Sequence, residues 1–126
     1  MEISGNQLDE ASLAAFGVEA LQLLATGNIA VLAERFGYAL AFDQEPASAI
    51  QRDLESSLAS VGANSLALAD AEAPSVTYFK PSDPGLFALI EGRAPTNNGK
   101  AVLVELIVAG NEAKKRLALE QISDVA

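Results

Sequence analysis

The candidate functional side chains of this sequence are carboxylates rather than nucleophiles or imidazoles. Three pairs of acids are each separated by one residue: Asp43 with Glu45, Asp53 with Glu55, and Asp70 with Glu72. On a helix, positions i and i+2 point in different directions, so this spacing suits a broad acidic surface better than two carboxyls that share a proton. A solvated surface, a protein-binding surface and acid–base catalysis are the three interpretations. We take these six acids as the candidate partner-binding site.

The chain of 126 residues contains neither histidine nor cysteine. The commonest general base is therefore missing, and so are thiol nucleophiles, disulfides and thiolate zinc sites. No glycine-rich phosphate loop with a following Lys occurs. Asp83-Pro84-Gly85 reads as a turn, because a calcium loop spreads its oxygen ligands over twelve residues. We predict a protein that is not an enzyme and that needs no metal or cofactor.

Tyr38, Tyr78 and Glu105 are the other side chains with potential chemistry. Each tyrosine could donate a proton or a hydrogen bond in an apolar pocket, or simply pack with its hydroxyl at the rim of the core. Glu105 is the lone charge within an apolar segment. It could pair across strands with Arg93 or Arg116, lie at the mouth of a pocket, or face solvent.

The negative charge is confined to the first half of the chain. The net charge is −9, and residues 1–73 hold 11 acids against Arg35 and Arg52, whereas residues 74–126 hold six acids and six bases. Such a field repels nucleic acid and anionic membranes and attracts basic partners over ~8–10 Å. A small protein also uses surface charge for solubility. The asymmetry is thus compatible with a solubilising surface or with an acidic docking surface.

Apolar periodicity predicts an α+β domain over residues 1–126, with three N-terminal helices packed on a C-terminal four-stranded antiparallel meander of cone-like shape. A helical layer (8–62) is followed by a connector (63–74) and a sheet (75–123). The helices are expected at about 8–25, 29–41 and 46–60, with Asp43 as the cap of the third, and the strands at 76–80, 86–91, 100–109 and 114–122. The N-terminus has no basic region before an apolar run, and no apolar stretch reaches the ~20 residues of a membrane span, so we expect a cytoplasmic protein.

The predicted third strand is apolar on both faces. Val102, Val104, Leu106 and Val108 alternate with Leu103, Glu105 and Ile107. A strand with one solvated face should alternate between apolar and polar residues. The face opposite the helices therefore needs a cover, which could be the connector, a second copy of the chain in a homodimer, or a different partner.

The order of elements and the segment from Leu23 to Phe36, a helix, a Gly-polar joint and a second helix, resemble the nuclear-transport-factor-2-like α+β superfamily. Its members include isomerases, dehydratases, small-ligand binders, dimerisation modules and bacterial immunity proteins. The enzymes place Asp, His or Tyr inside the cone, and only Tyr38, Tyr78 and the carboxylates could match here. The acidic, Ala-rich composition is similar to that of immunity proteins, which bind basic nuclease toxins with carboxylates, as in contact-dependent growth inhibition.

Two functions follow from these patterns. The first is a non-catalytic immunity protein that occludes a cognate basic toxin domain. The alternative is a small-ligand binder or minimal acid–base enzyme of the nuclear-transport-factor-2-like type. A wet pocket lined by Tyr and a buried carboxylate would favour the alternative, and a filled apolar core would favour the first.

Overall fold

The computed structural model is an α+β fold in which three helices pack on one face of an antiparallel sheet. It describes residues 1–41, 43–67, 73–80, 85–110 and 114–124, and for Leu40 the backbone alone. The helices are α1 (Glu10–Ala25), α2 (Ile29–Phe36) and α3 (Pro46–Ser60). The strands are β1 (Glu2–Ile3), β2 (Ser75–Tyr78), β3 (Leu86–Pro95), β4 (Ala101–Gly110) and β5 (Lys115–Asp124).

The sheet has five strands in the order β1-β5-β4-β3-β2, all antiparallel, so the prediction of four strands was wrong by one. The additional strand, β1, precedes the helices and lies against β5. The ammonium group of Met1 donates to the carbonyl of Leu117 at 2.8 Å, and the N–H of Leu117 donates to the carbonyl of Met1 at 2.7 Å. A two-residue strand is too short to show a period of two, which is why periodicity missed it.

The second helix is shorter than predicted. α2 ends at Phe36 instead of continuing to residue 41, and the chain then makes a short 3₁₀ turn at Ala39–Ala41. Gly37 adopts a positive φ of 71°, and its N–H donates to the carbonyl of Ala33 at 2.8 Å. Glycine takes this conformation without the steric cost that a Cβ would bring, so it stops the helix.

The third helix begins at Pro46, where a missing N–H costs nothing in the first turn. Its cap is Glu45 and not Asp43, contrary to prediction. The Glu45 carboxylate accepts hydrogen bonds from the backbone N–H groups of Ala47 at 3.3 Å and Ser48 at 3.1 Å. Asp43 lies exposed two residues before the cap.

One apolar core joins the helices to the sheet. The fully buried side chains include Leu13, Leu32, Phe36 and Ile50 from the helices and Ile90, Val104, Leu106 and Leu119 from the strands. The face of β4 that carries Val102, Val104, Leu106 and Val108 is therefore the one that meets the helices. None of the described helices combines the length and the apolar character that crossing a bilayer requires.

Gly17 is the point of closest approach between α1 and the sheet. A Cβ at this position would lie 2.9 Å from Cγ2 of Ile90 and 2.9 Å from Cγ of Pro74. Gly17 itself is buried. The absence of a side chain here thus lets α1 contact β3 and the residue preceding β2.

Candidate functional site

The structure places four of the six predicted site residues. Asp43, Glu45 and Glu55 are exposed, and Asp53 is half-buried. Asp70 and Glu72 lie outside the described residues. The four described acids do not share one side of the helix: Asp43 precedes α3, and Asp53 points to a different side from Glu45 and Glu55.

Glu45 and Glu55 lie on one face of α3, together with Ser48 and Arg52. The spacing of three, four and three residues returns each side chain to the same side of the helix. With a rise of 1.5 Å per residue, the two acids are separated by ~15 Å along the axis. We call these four residues the α3 face.

An open groove runs along the α3 face, between α3 and the start of α2. It is lined by Ile29, Ala47, Ser48, Gln51, Arg52 and Glu55. Ile29 and Ala47 are apolar, and the other lining residues are polar or charged. The groove lining therefore combines a small apolar part with polar and charged side chains.

The carboxylates of the α3 face are held in place by neighbouring donors. Ser48 Oγ donates to Glu45 Oε2 at 2.7 Å, and the hydrogen bonds from the Ser48 side chain and backbone lower the pKa of Glu45. Gln51 Nε2 donates to Glu55 Oε1 at 2.9 Å. Arg52 turns away from both acids, because it donates to Asp53 Oδ1 at 3.2 Å and to Gln44.

Asp53 is engaged within the protein. Besides the hydrogen bond from Arg52, Asp53 accepts one from Tyr38, whose hydroxyl donates to Asp53 Oδ2 at 2.6 Å. Tyr38 is 7% exposed, and burial, followed by the hydrogen bond to Asp53 and the charge of Asp53, raises the pKa of Tyr38 above its ordinary value. The Asp53 carboxylate thus fixes the segment between α2 and α3.

We expect Tyr38→Phe to lower the free energy of unfolding by about 1–2 kcal/mol, because it leaves the half-buried Asp53 carboxylate without its hydroxyl donor. Chemical denaturation measures the loss. Tyr78→Phe is the matched control: Tyr78 is 43% exposed and donates to the carbonyl of Leu8 at 2.7 Å, so about 0.5 kcal/mol or less is expected. Equal losses in the two variants would contradict the role assigned to the Tyr38–Asp53 bond.

The two tyrosines do not line a common cavity. Tyr78 lies at the sheet edge, where its ring packs edge-on against Phe87 at 5.5 Å, and Tyr38 lies between α2 and α3. In the part of the chain that the structure describes, every buried side-chain nitrogen and oxygen has a hydrogen-bond partner. The described polar groups inside the protein therefore satisfy one another.

Glu105 does not form the predicted ion pair with Arg93 or Arg116. The strand register places Glu105 opposite Glu91 on β3 and opposite Gln121 on β5, whereas Arg93 lies opposite Leu103 and Arg116 opposite Ala109. Within the described ranges, the ion pairs are Arg35–Glu19 and Arg52–Asp53. The sequence had offered this ion pair without a strand register, and the observed register does not place either arginine opposite Glu105.

Three carboxylates instead form a row across the sheet: Glu91 on β3, Glu105 on β4 and Glu120 on β5. A β-bulge between Glu105 and Leu106 adds one residue to β5, so that both Glu120 and Gln121 lie beside Glu105. Burial, followed by the charges of Glu91 and Glu120, raises the pKa of Glu105 from its ordinary value of 4.5. We call these residues the acidic row. Among the described residues, no group of three or more acids has the geometry of a metal site.

The raised pKa of Glu105 predicts a pH-dependent stability. Because the folded protein holds this proton more tightly than the unfolded chain, the contribution of Glu105 is fully present below pH 4.5 and is lost as the pH rises through the folded pKa. Glu105→Gln should therefore stabilise the protein near pH 7 by a few tenths to about 1 kcal/mol, since like charges on facing strands repel. Denaturation at pH 4.5 and pH 7 tests this. An equal effect of the substitution at both pH values would contradict it.

Comparisons with protein-family models, with curated proteins and with solved structures gave no match. The resemblance to the nuclear-transport-factor-2-like superfamily therefore stays a prediction from the order of the elements.

Proposed function

We propose that this protein is a non-catalytic, acidic binding protein of the immunity type, which neutralises a cognate basic toxin domain of the nuclease class by occluding it. The observation that carries the proposal is the α3 face. There, Glu55 lines an open groove and Glu45 lies on the same face of α3, on the half of the chain that holds all the excess negative charge.

The electrostatics of the helical layer support a basic partner. Its two arginines are already engaged, Arg35 with Glu19 and Arg52 with Asp53. Further exposed acids on the helices and their joints have no ion pair within the described residues, namely Glu10, Glu34, Asp43, Glu45 and Glu55. This surface attracts cations, and complementary charge raises the rate of association and improves specificity.

The groove suggests how a basic side chain would be bound. A Lys or Arg from the partner would lay its aliphatic part against Ile29 and Ala47 and direct its charge toward Glu55. The hydrogen bonds that lower the pKa of Glu45 keep this carboxylate charged. A toxin side chain held in the groove of α3 would bring the toxin's catalytic or nucleic-acid-binding cations against this protein. The toxin could then no longer bind its substrate.

The alternative, a small-ligand binder or minimal acid–base enzyme, has weaker support. It requires a tyrosine and a carboxylate that face a cavity. Tyr38 and Asp53 are hydrogen-bonded to each other at 2.6 Å, and Leu32, Phe36 and Ile50 fill the neighbouring core. Because Tyr38 and Asp53 are already hydrogen-bonded to each other, they have little hydrogen-bonding capacity left for a ligand.

The proposal is tested by mixing the protein with a basic nuclease-type domain, which is to be sought in the reading frames beside its gene. We expect a stoichiometric complex at micromolar concentrations and loss of the domain's nuclease activity. Asp43→Lys with Glu55→Lys should weaken the inhibition. The absence of a complex, or inhibition that is unchanged in this double variant, would contradict the proposal.

A further inference from the structure

The sheet face opposite the helices, here called the open face, combines apolar side chains with the acidic row. Leu89, Leu103, Ile107 and Ala118 point away from the helices, because their strand neighbours are the buried residues of the core. All four are only half-buried, and no described helix lies on them. Phe79 and Leu86, each 37% exposed, extend the apolar surface toward the β2 edge.

The acidic row divides this apolar surface. On β4, Leu103 lies two residues before Glu105, and Ile107 lies two residues after it. Ile107 is opposite Leu89 on β3. Neighbouring strands are ~4.8 Å apart, so the row spans ~10 Å from β3 to β5. On one side of the acidic row, Leu89, Ile107 and Ala118 form an apolar band across three strands. On the other side, Leu103 lies between Arg93 and Ser123.

This arrangement is unfavourable for the isolated protein. Like charges directly opposite one another destabilise a sheet, and burial beside apolar neighbours adds to the cost. Arg93 and Arg116 lie on the same face, yet neither forms an ion pair with the row among the described residues. A cation from outside would relieve the repulsion, and covering the apolar band and Leu103 would remove their surface from water.

We propose that the open face is a docking surface for a cationic amphipathic helix of a partner protein, which lies across the strands along the acidic row. Lys or Arg side chains at positions i, i+4 and i+8 of this helix are spaced by ~6 Å along its axis, close to the spacing of the strands. They would follow Glu91, Glu105 and Glu120 in turn. Apolar residues on either side of the cations would cover Leu103 and the Leu89–Ile107 pair.

A second copy of the chain fits this surface less well. In a face-to-face dimer centred on the acidic row, the same three carboxylates would meet their own copies, and six like charges would be enclosed between apolar surfaces. Opposite charge in the partner removes this conflict. The inference is independent of the α3 face, because the two surfaces lie on opposite sides of the sheet.

The test uses a synthetic helical peptide of four to five turns, with Lys at i, i+4 and i+8 and Leu at the flanking positions. A second peptide with Glu in place of Lys is its control. We expect the Lys peptide to bind the wild-type protein, to shift backbone amide resonances of β3, β4 and β5, and to bind more weakly as salt is added. The Glu peptide should not bind.

Variants locate the binding. Glu91→Gln with Glu105→Gln should weaken binding of the Lys peptide by about tenfold or more. Glu34→Gln, at an exposed acid of α2 outside both the groove and the acidic row, should leave it unchanged. The doubly neutralised protein should also be at least as resistant to denaturant as the wild type, which shows that the loss of binding is not a loss of folding.

Three results would overturn the inference. They are shifts confined to the α3 face, equal weakening by Glu34→Gln, and a wild-type protein that self-associates through the open face and excludes the peptide. Sedimentation of the wild type and of Ile107→Lys identifies the last of these.

Discussion

Gly17→Val is expected to destabilise the protein by about 3 kcal/mol, at the upper end of what overpacking a core costs. The new Cβ alone would lie 2.9 Å from Ile90 and 2.9 Å from Pro74, and two methyl groups would then follow it into the same space. The Ile90 side chain is fully buried and the Pro74 ring is rigid, so neither can move aside easily. α1 would have to separate from the sheet. Denaturant titration measures the change.

The matched control is Ala15→Val, an exposed position in the same helix. It introduces the same β-branched side chain and should cost about 0.5 kcal/mol through helix propensity alone. If the two variants lost the same stability, the close contact of α1 with the sheet would not be what makes Gly17 sensitive.

Reversing two charges near the α3 groove is expected to slow association with a basic toxin domain by about tenfold at low salt. The variant is Asp43→Lys with Glu55→Lys. Both acids are exposed and neither caps a helix, so the free energy of unfolding should change by no more than about 0.5 kcal/mol per substitution. Glu45 is unsuitable for this test, because its capping of α3 would mix a loss of binding with a folding loss of ~1 kcal/mol. Stopped-flow kinetics measure the rate.

The control makes the same change in net charge elsewhere. Glu91→Lys with Glu120→Lys changes the net charge by the same four units, but on the sheet face opposite α3. It should slow association much less. Equal slowing in the two variants would mean that total charge, and not the α3 face, governs the encounter.

The helices were largely predictable because the residues that start and stop them are local signals in the sequence. α1 and α3 end where the periodicity indicated, and Asp9 caps α1 by accepting from the N–H of Ser12 at 3.1 Å. The error in α2 came from following apolar residues beyond Gly37. A glycine directly after an apolar position is itself a stop signal, and weighting it above the periodicity would have placed the end correctly.

The acidic row depends on register, which the sequence gives less directly. Thr96 to Lys100 connect β3 to β4, and this fixes Pro95 opposite Ala101 and hence Glu91 opposite Glu105. The predicted strand before this hairpin ended at Glu91, so its pairing with β4 was not traced. The β5 bulge that brings Glu120 beside Glu105 has no local sequence signature, and periodicity alone does not reveal it.

The sequence predicted which acids are candidates for the site, but not how they are arranged in space. The sequence identified Asp53 and Glu55 as acids on opposite sides of the apolar stripe, and the structure shows Asp53 bound to Tyr38 and Glu55 in the groove. The residue that shares a face with Glu55 is Glu45, ten positions earlier. Long-range hydrogen bonds such as the one from Tyr38 depend on tertiary packing, which one sequence does not show.

The proposed function is tested most directly by the rate constant for association of the wild-type protein with a basic nuclease-type toxin domain, measured at roughly 0.02 M and roughly 0.3 M salt. If the acidic helical layer steers a basic partner, the association rate should fall by about tenfold or more at the higher salt, while the dissociation rate changes far less. An association rate that is the same at both salt concentrations, or the absence of any complex, would contradict it.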